Sequence, residues 1–305
     1  MIPLPDESTD PIQLADWLEV VALLSADGNS SAGDLRSALN RGSVLDSEGD
    51  KNGGVDEALE EKSTQVFREL ELRSIAASAG YPFRVKGGLL QTQSTWKDYS
   101  SYTFCLCLSH FRWKRPAGSP YFPERLFEAL SADAAGKWVG GKAVRFGAPR
   151  VPSELPGGFA KALDALCRLH IREGAGSKDI ARRIHWNKDY GLDVVAWRDW
   201  PDNREGKLLL LGACATGQNW PGKTGDLDPG NLYRLWMLEW PVSPAVRAFF
   251  VPHRIHGDRW HQTSQEGGVV FDRCRIANLV PRLPSSDHGD GIAWVDMILG
   301  SQKRS

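Results

Sequence analysis

Residues 191–216, GLDVVAWRDWPDNREGKLLLLGACAT, hold two apolar runs separated by a polar turn with Pro and Gly. The second run, LLLLGACA, is apolar at odd and even positions alike. Successive side chains of a strand point to opposite faces, so such a strand is buried on both. The fold must then supply a layer on each side of a sheet, which makes this part of the chain α/β. The neighbouring segments fit. PERLFEALSADAAGKW reads as a helix, KAVRFGAPR (142–150) as a strand, and LPGGFAKALDALCRLHIREGAG as a helix with a glycine stop. After the two strands come a helix near 230–239 and a strand over 246–252. Residues 266–287 mix a strand or helix with Pro-rich turns.

The first half is mostly helical. PIQLADWLEVVALLS (11–25) has helical apolar spacing behind a proline. Ser31 followed by Asp34 marks a cap that opens a helix over 32–40. Residues 42–56 are acidic, Gly-rich and poor in apolar side chains, the composition of a loop. A long helix follows over 56–79, with Val66, Phe67, Leu70 and Ile75 on its inner face. YSSYTFCLCLSHFR (99–112) is continuously apolar and reads better as a buried helix than as a strand. RPAGSPYFP (115–123) is a joint between modules. The expected organisation is a helical regulatory or docking module over 1–115 and a sheet domain over 116–305.

Bulk properties narrow the partners. The 305 residues carry a net charge of −1, so any nucleic-acid surface must be a local basic patch. No run of about 18 apolar residues is present, and the acidic N-terminus has no signal-peptide core. A cytoplasmic protein without a membrane span is expected. Five cysteines without CxxC pairs point to reduced thiols rather than a disulfide framework or zinc ribbon. Most of the twelve Trp should fill the core.

Asp193 stands in the first apolar run. A carboxylate there must be paired, protonated or bound to a cation. The plainer alternative is an acid at a strand end, in solvent or paired with arginine. On the next strand, positions 213 and 215 share a face and could lie at the acid's edge. Glu or Gln at 213 and Lys at 215 would form a site for Mg²⁺.

These residues resemble the PD-(D/E)xK, or restriction-endonuclease-like, superfamily in its Mrr-type form. LFEAL supplies the Phe-Glu pair as Phe127 and Glu128, GLDVVAW supplies the Gly-x-Asp as Asp193, and GACATG stands where Gln-x-Lys is expected. The resemblance covers roughly residues 122–252. It implies a central mixed sheet flanked by helices, Mg²⁺ or Mn²⁺ held by Asp193 and Glu128, and hydrolysis of DNA. A prokaryotic restriction or anti-phage role, a partner protein in a defence complex, and a homodimer are further implications. The chain departs from the pattern at Ala213 and Ala215, whose methyl groups neither ligate nor donate. Three explanations stand side by side: a relocated lysine (Lys223 or Lys207), an inactivating change at 213, or a degenerate nuclease that binds without cutting.

Other residues fill out the expected site. Lys142, Arg145, Arg150, Arg254 and Arg259 are candidate phosphate contacts, as are Arg182 and Arg183. Thr216, Gln218 and Asn219 are candidate lining residues of the loop after the second strand. Asp189 precedes a glycine, where turn geometry explains it as well as ligation does. His253, His256 and His261 lack zinc-ligand spacing and suit a basic, DNA-facing loop with Trp260. Two functions follow: a metal-dependent DNA endonuclease, or a non-catalytic nuclease-fold module that binds nucleic acid or a protein partner.

Overall fold

A computed structural model of the chain describes residues 4, 10–42, 54–111, 119–150, 154–176, 190–284 and 288–303. Residues 43–53 of the expected loop over 42–56, the start of the 115–123 joint, and Arg182, Arg183 and Asp189 lie outside these residues; 42 and 54–56 are helical rather than loop. The chain divides into two compact units. One comprises residues 1–114 and 273–305, the other residues 115–272. The sequence placed a boundary at 115 but assigned the C-terminal segment to the second domain; the structure groups it with the first.

The helical unit starts with α1 (Pro11–Leu24). Asp10 caps it by accepting from the Ile12 amide at 2.9 Å, and Pro11 occupies the first turn, where no amide donor is needed. Strand β1 (Asn29–Ser31) leads into α2 (Ala32–Gly42), opened by the expected cap: the Asp34 amide donates to Ser31 Oγ, and the Ser31 amide to Asp34 Oδ2. Helix α3 (Gly54–Ala77) is followed by the hairpin β2 (Phe83–Lys86) and β3 (Leu89–Thr92). The small sheet has the order β1-β3-β2. Helix α4 (Ser100–His110) is buried along its length, as its unbroken apolar pattern suggested. Val66, Phe67 and Leu70 of α3 face inward as expected, but Ile75 is 77% exposed. The inner stripe runs through 66, 70, 73 and 77, and a 3.6-residue period puts 75 on the far side.

The second unit begins with α5 (Pro123–Val139) and β4 (Lys142–Arg145). Next come α6 (Phe159–Ala165), continued by a π-helical turn over Leu166–Ile171, and β5 (Ala175–Gly176). The two apolar runs form β6 (Val194–Arg198) and β7 (Leu208–Cys214). Then follow α7 (Pro229–Trp236), β8 (Met237–Glu239), β9 (Val246–Phe250), α8 (Gly257–Gly267) and β10 (Val269–Phe271). The chain closes in the helical unit with α9 (Arg273–Leu279) and α10 (His288–Gln302).

The main sheet has five strands in the order β10-β9-β7-β6-β4. Pairs β4/β6 and β6/β7 are antiparallel; β7/β9 and β9/β10 are parallel. It is therefore a mixed α/β sheet with helices on both sides. Helix α5 packs on β4, β6 and β7. The opposite face carries Val195, Trp197, Leu209, Leu211, Ala213 and Phe249 into a core shared with α6 and α7. Each fully buried aliphatic or aromatic side chain there contributes roughly 1.5–3 kcal/mol. Residues 257–262, expected as the end of a loop over 251–262, instead open helix α8. His256 caps this helix by accepting from the Asp258 amide at 3.3 Å.

Each unit holds a charge cluster built around a buried cation, and neither has a local signal in the sequence. In the helical unit, the Arg73 guanidinium bonds Glu69 (2.9 Å), Asp16 (2.7 Å), Glu19 (2.9 Å) and the Ile12 carbonyl (2.9 Å). Tyr81 and Tyr102 each donate to Glu19 Oε1 at 2.8 Å, and Arg273 pairs with Asp16. In the second unit, Asp199 at the end of β6 collects Lys142 (3.1 Å), Lys207 (3.0 Å) and Arg172 (3.4 Å). The Lys207 side chain is wholly buried, and its ammonium also donates to the Ile171 carbonyl. Burial raises the Asp199 pKa, but the Lys207 and Lys142 ammonium groups outweigh it and bring the pKa down to about 2. A depressed carboxylate stabilises the fold above its unfolded pKa and loses that contribution as pH falls. Asp199→Asn should thus cost stability at neutral pH by leaving buried Lys207 without its carboxylate. It should also remove the part of acid destabilisation that falls between about pH 4 and about pH 2. Denaturant midpoints at stepped pH measure both effects.

Candidate functional site

Asp193 sits one residue before β6, where three strands end together. Its amide donates to the Gly212 carbonyl (2.9 Å), and its carbonyl accepts from the Phe146 (2.6 Å) and Gly147 (3.1 Å) amides. Its carboxylate Oδ2 accepts from the Cys214 amide at 2.8 Å. The acid thus ties the ends of β4, β6 and β7 together.

Glu128 comes to the same place from α5. Its Oε2 accepts from Arg145 Nη1 at 2.9 Å, and the two side chains are only 17% and 12% exposed. Arg145 also donates to the carbonyls of Gly147 (3.2 Å) and Pro149 (2.6 Å). A Cβ at residue 147 would meet the Glu128 carboxylate, so a side chain there would displace that acid from its present place. Arg145, a candidate phosphate contact by sequence, is engaged with the acid it would have had to leave free.

The residue that faces these acids is Cys214, which the sequence reading passed over. Burial, then the Asp193 and Glu128 carboxylates, push its thiol well above the usual range; the Ser131 hydroxyl acts in the opposite direction. Ser131 is fully buried on α5 and finds no well-formed hydrogen bond. A protonated, half-buried thiol is the resting form here, not a nucleophilic thiolate. The other cysteines are buried and reduced, as expected.

Alternation along β7 decides the rest. Cys214 lies on the α5 side, and Gly212, two residues earlier, shares that side. Ala213 and Ala215 lie on the other, 5% and 3% exposed in the core with Phe249 and Val251. The expected placement of Ala213 beside the acids is therefore corrected: positions 213 and 215 belong to the opposite layer. The positions that adjoin the acids are 212 and 214. A Cβ at 212 would lie 2.6 Å from the Phe250 ring and 3.3 Å from Val194 Cβ, so packing closes that position to any side chain. The error had a physical source. A run apolar on both faces gives no alternation from which to fix register, although a glycine inside such a strand does signal close approach.

The donor set does not fit a divalent cation. Glu128 is paired with Arg145, Asp193 accepts from the Cys214 amide, and the remaining neighbours are a glycine and a thiol. Among the described residues, no group of three or more His, Cys, Asp or Glu is placed to hold a metal ion. Mg²⁺ and Mn²⁺ favour several hard oxygen ligands, which this arrangement does not offer.

The remaining candidates are dispersed. Lys223 is exposed in a 3-10 turn over Trp220–Lys223. In the loop after β7, Gln218 and Asn219 are exposed, while the half-buried Thr216 accepts from His253 Nε2 at 3.2 Å through its carbonyl. Lys142 pairs with Asp199 (3.1 Å), and Arg254 with Asp272 (2.7 Å). Arg150 is 6% exposed; its guanidinium lies 4.4 Å from the Phe146 ring centroid and donates to the Gly157 carbonyl. It is a packing residue rather than a phosphate contact. Arg259 is exposed on α8. Among the described residues, no helix is long and apolar enough to cross a membrane. No family model, no curated protein and no solved structure matches this chain.

Proposed function

We propose that the sheet unit is a non-catalytic, nuclease-like scaffold that serves in protein interaction. One observation carries this reading. On the face of β7 that meets Asp193 and Glu128, the two positions where hydrolysis would need a ligand and a lysine are Gly212 and Cys214. Phe250 closes the first to any side chain. The second carries a thiol whose proton is held by burial and by the adjacent carboxylates. Neither residue polarises a scissile phosphate or activates water. Fold analogy alone does not supply chemistry.

The state of the cations favours a protein partner over nucleic acid. Lys142, Arg145 and Arg254 are in ion pairs, and Arg150 is buried against Phe146. Phosphate binding draws on lysines and arginines that can neutralise the backbone. Of the seven expected contacts, five lie among the described residues, and of these Arg259 remains as a surface cation outside these pairings.

The test is incubation of supercoiled and linear DNA with the full chain in Mg²⁺ and in Mn²⁺, alongside Asp193→Ala. No cleavage is expected from either protein. Cleavage by the native chain that disappears in Asp193→Ala would overturn the reading and restore the endonuclease.

A further inference from the structure

The helical unit has its own surface, and the inference drawn from it is independent of what the sheet unit does. Its elements run α1–β1–α2–α3–β2–β3, with α2 and α3 packed together and a hairpin after α3. In helix-turn-helix proteins, the second helix of such a pair faces outward and enters the major groove. Here α3 likewise buries one stripe, Val66, Phe67, Leu70 and Ala77, and exposes the other.

The exposed stripe has the wrong chemistry for a duplex. Positions 57, 61, 64, 68, 72 and 75 recur at three- and four-residue intervals and, with position 60 beside them, lie along one side of the helix. Glu57, Glu60 and Glu61 are exposed on its N-terminal half, and Arg68 is the exposed cation at its middle. Its C-terminal half carries Leu72, 48% exposed, and Ile75, 77% exposed. A duplex presents about one negative charge per 1.7 Å of axis, and the glutamates would repel it. Anionic lipid would be repelled in the same way. The exposed Arg84 and Lys86 belong to β2 and add no cation to this stripe. Two acidic stripes would also repel each other, which argues against symmetric pairing of two copies through α3.

We infer that the outer stripe of α3 is a docking surface for a basic, amphipathic polypeptide segment of a partner protein. The glutamates complement cationic side chains and steer the encounter. Leu72 and Ile75 supply apolar area that water exclusion makes favourable.

The experiment uses the full chain and fluorescence anisotropy with two labelled probes, a helical Leu/Lys amphipathic peptide and a DNA duplex. Three variants accompany the native protein: Leu72→Ser with Ile75→Ser, Glu57→Gln with Glu60→Gln and Glu61→Gln, and Leu238→Ser as a control on an exposed apolar residue of the other unit. All the substituted side chains are exposed, so each variant should keep the native stability; circular dichroism melts check this. The peptide should bind the native chain and the control alike. Either α3 variant should weaken it by about tenfold, and the glutamine variant should also lose most of its salt dependence. The duplex should bind no better to the native chain than to the α3 variants. No binding of the peptide, equal peptide affinity across all variants, or duplex binding that depends on Leu72 and Ile75 would overturn the inference.

Discussion

Arg73→Ala is expected to destabilise the helical unit by about 3–5 kcal/mol, the cost of breaking a buried ion pair from one side. The guanidinium is fully buried and bonds two carboxylates of α1, one of α3 and a main-chain carbonyl. Removing it leaves Glu19 with its two tyrosine hydroxyls and a more distant arginine, Arg273 at 3.7 Å. A carboxylate in that position is desolvated without adequate compensation. Hydrogen exchange of the α1 and α4 amides, together with denaturant unfolding, measures the loss and assigns it to this unit. The variant should also change the response to acid. Burial raises the Asp16 pKa, but Arg273 and Arg73 overcome it and hold the carboxyl far below its ordinary value. Its contribution is complete above the unfolded pKa of about 4 and is lost as pH falls below that value. Without Arg73 the depression is smaller, so the pH-dependent part of the stability shrinks along with the total. Native-like stability in the variant would mean that the cluster contributes little.

This cluster also marks where sequence reading stops. The helix over 11–25 was legible from its apolar period and its proline. Asp16 and Glu19 within it carry no local sign of burial, because their partners lie far along the chain at Arg73 and Arg273. Pairing at that separation leaves no local pattern. The same limit shaped the candidate site. Glu128 and Asp193 were legible as a pair because each sits in a short motif, and the structure brings both against Cys214. Ser131 and Cys214 were not, since a serine in a helix and a cysteine in an apolar strand carry no signal of their own. The misplaced role of Ala213 came from register, which in a strand buried on both faces depends on its neighbours rather than on its own sequence. Ile75 lies out of phase with Leu70 and Ala77, so the helical period that carries them inward carries it outward although it is equally apolar.

Gly212→Ala is expected to destabilise the sheet unit by roughly 1–3 kcal/mol, the usual range for overpacking a filled core. The added methyl would stand 2.6 Å from the Phe250 ring, and that ring cannot withdraw freely. It stacks on Phe271 with centroids 4.5 Å apart and planes 12° apart, and Phe271 in turn meets Trp138 of α5 edge-on at 5.7 Å. Yielding at 212 would therefore disturb the aromatic layer beneath α5. If Phe250 is what closes the position, Phe250→Leu should relieve the clash. The double variant should then be more stable than the sum of the single effects predicts, by at least about 0.5 kcal/mol, as for residues in direct contact. Thermal melts of the four proteins in this cycle give the coupling. Strict additivity would show that space at 212 is limited by something other than Phe250. The cycle bears on function because the side chain that a nuclease would need beside Asp193 has to occupy this volume. On the proposed reading, a scaffold that fills it with an aromatic ring is committed to packing at the point where hydrolysis would require a ligand.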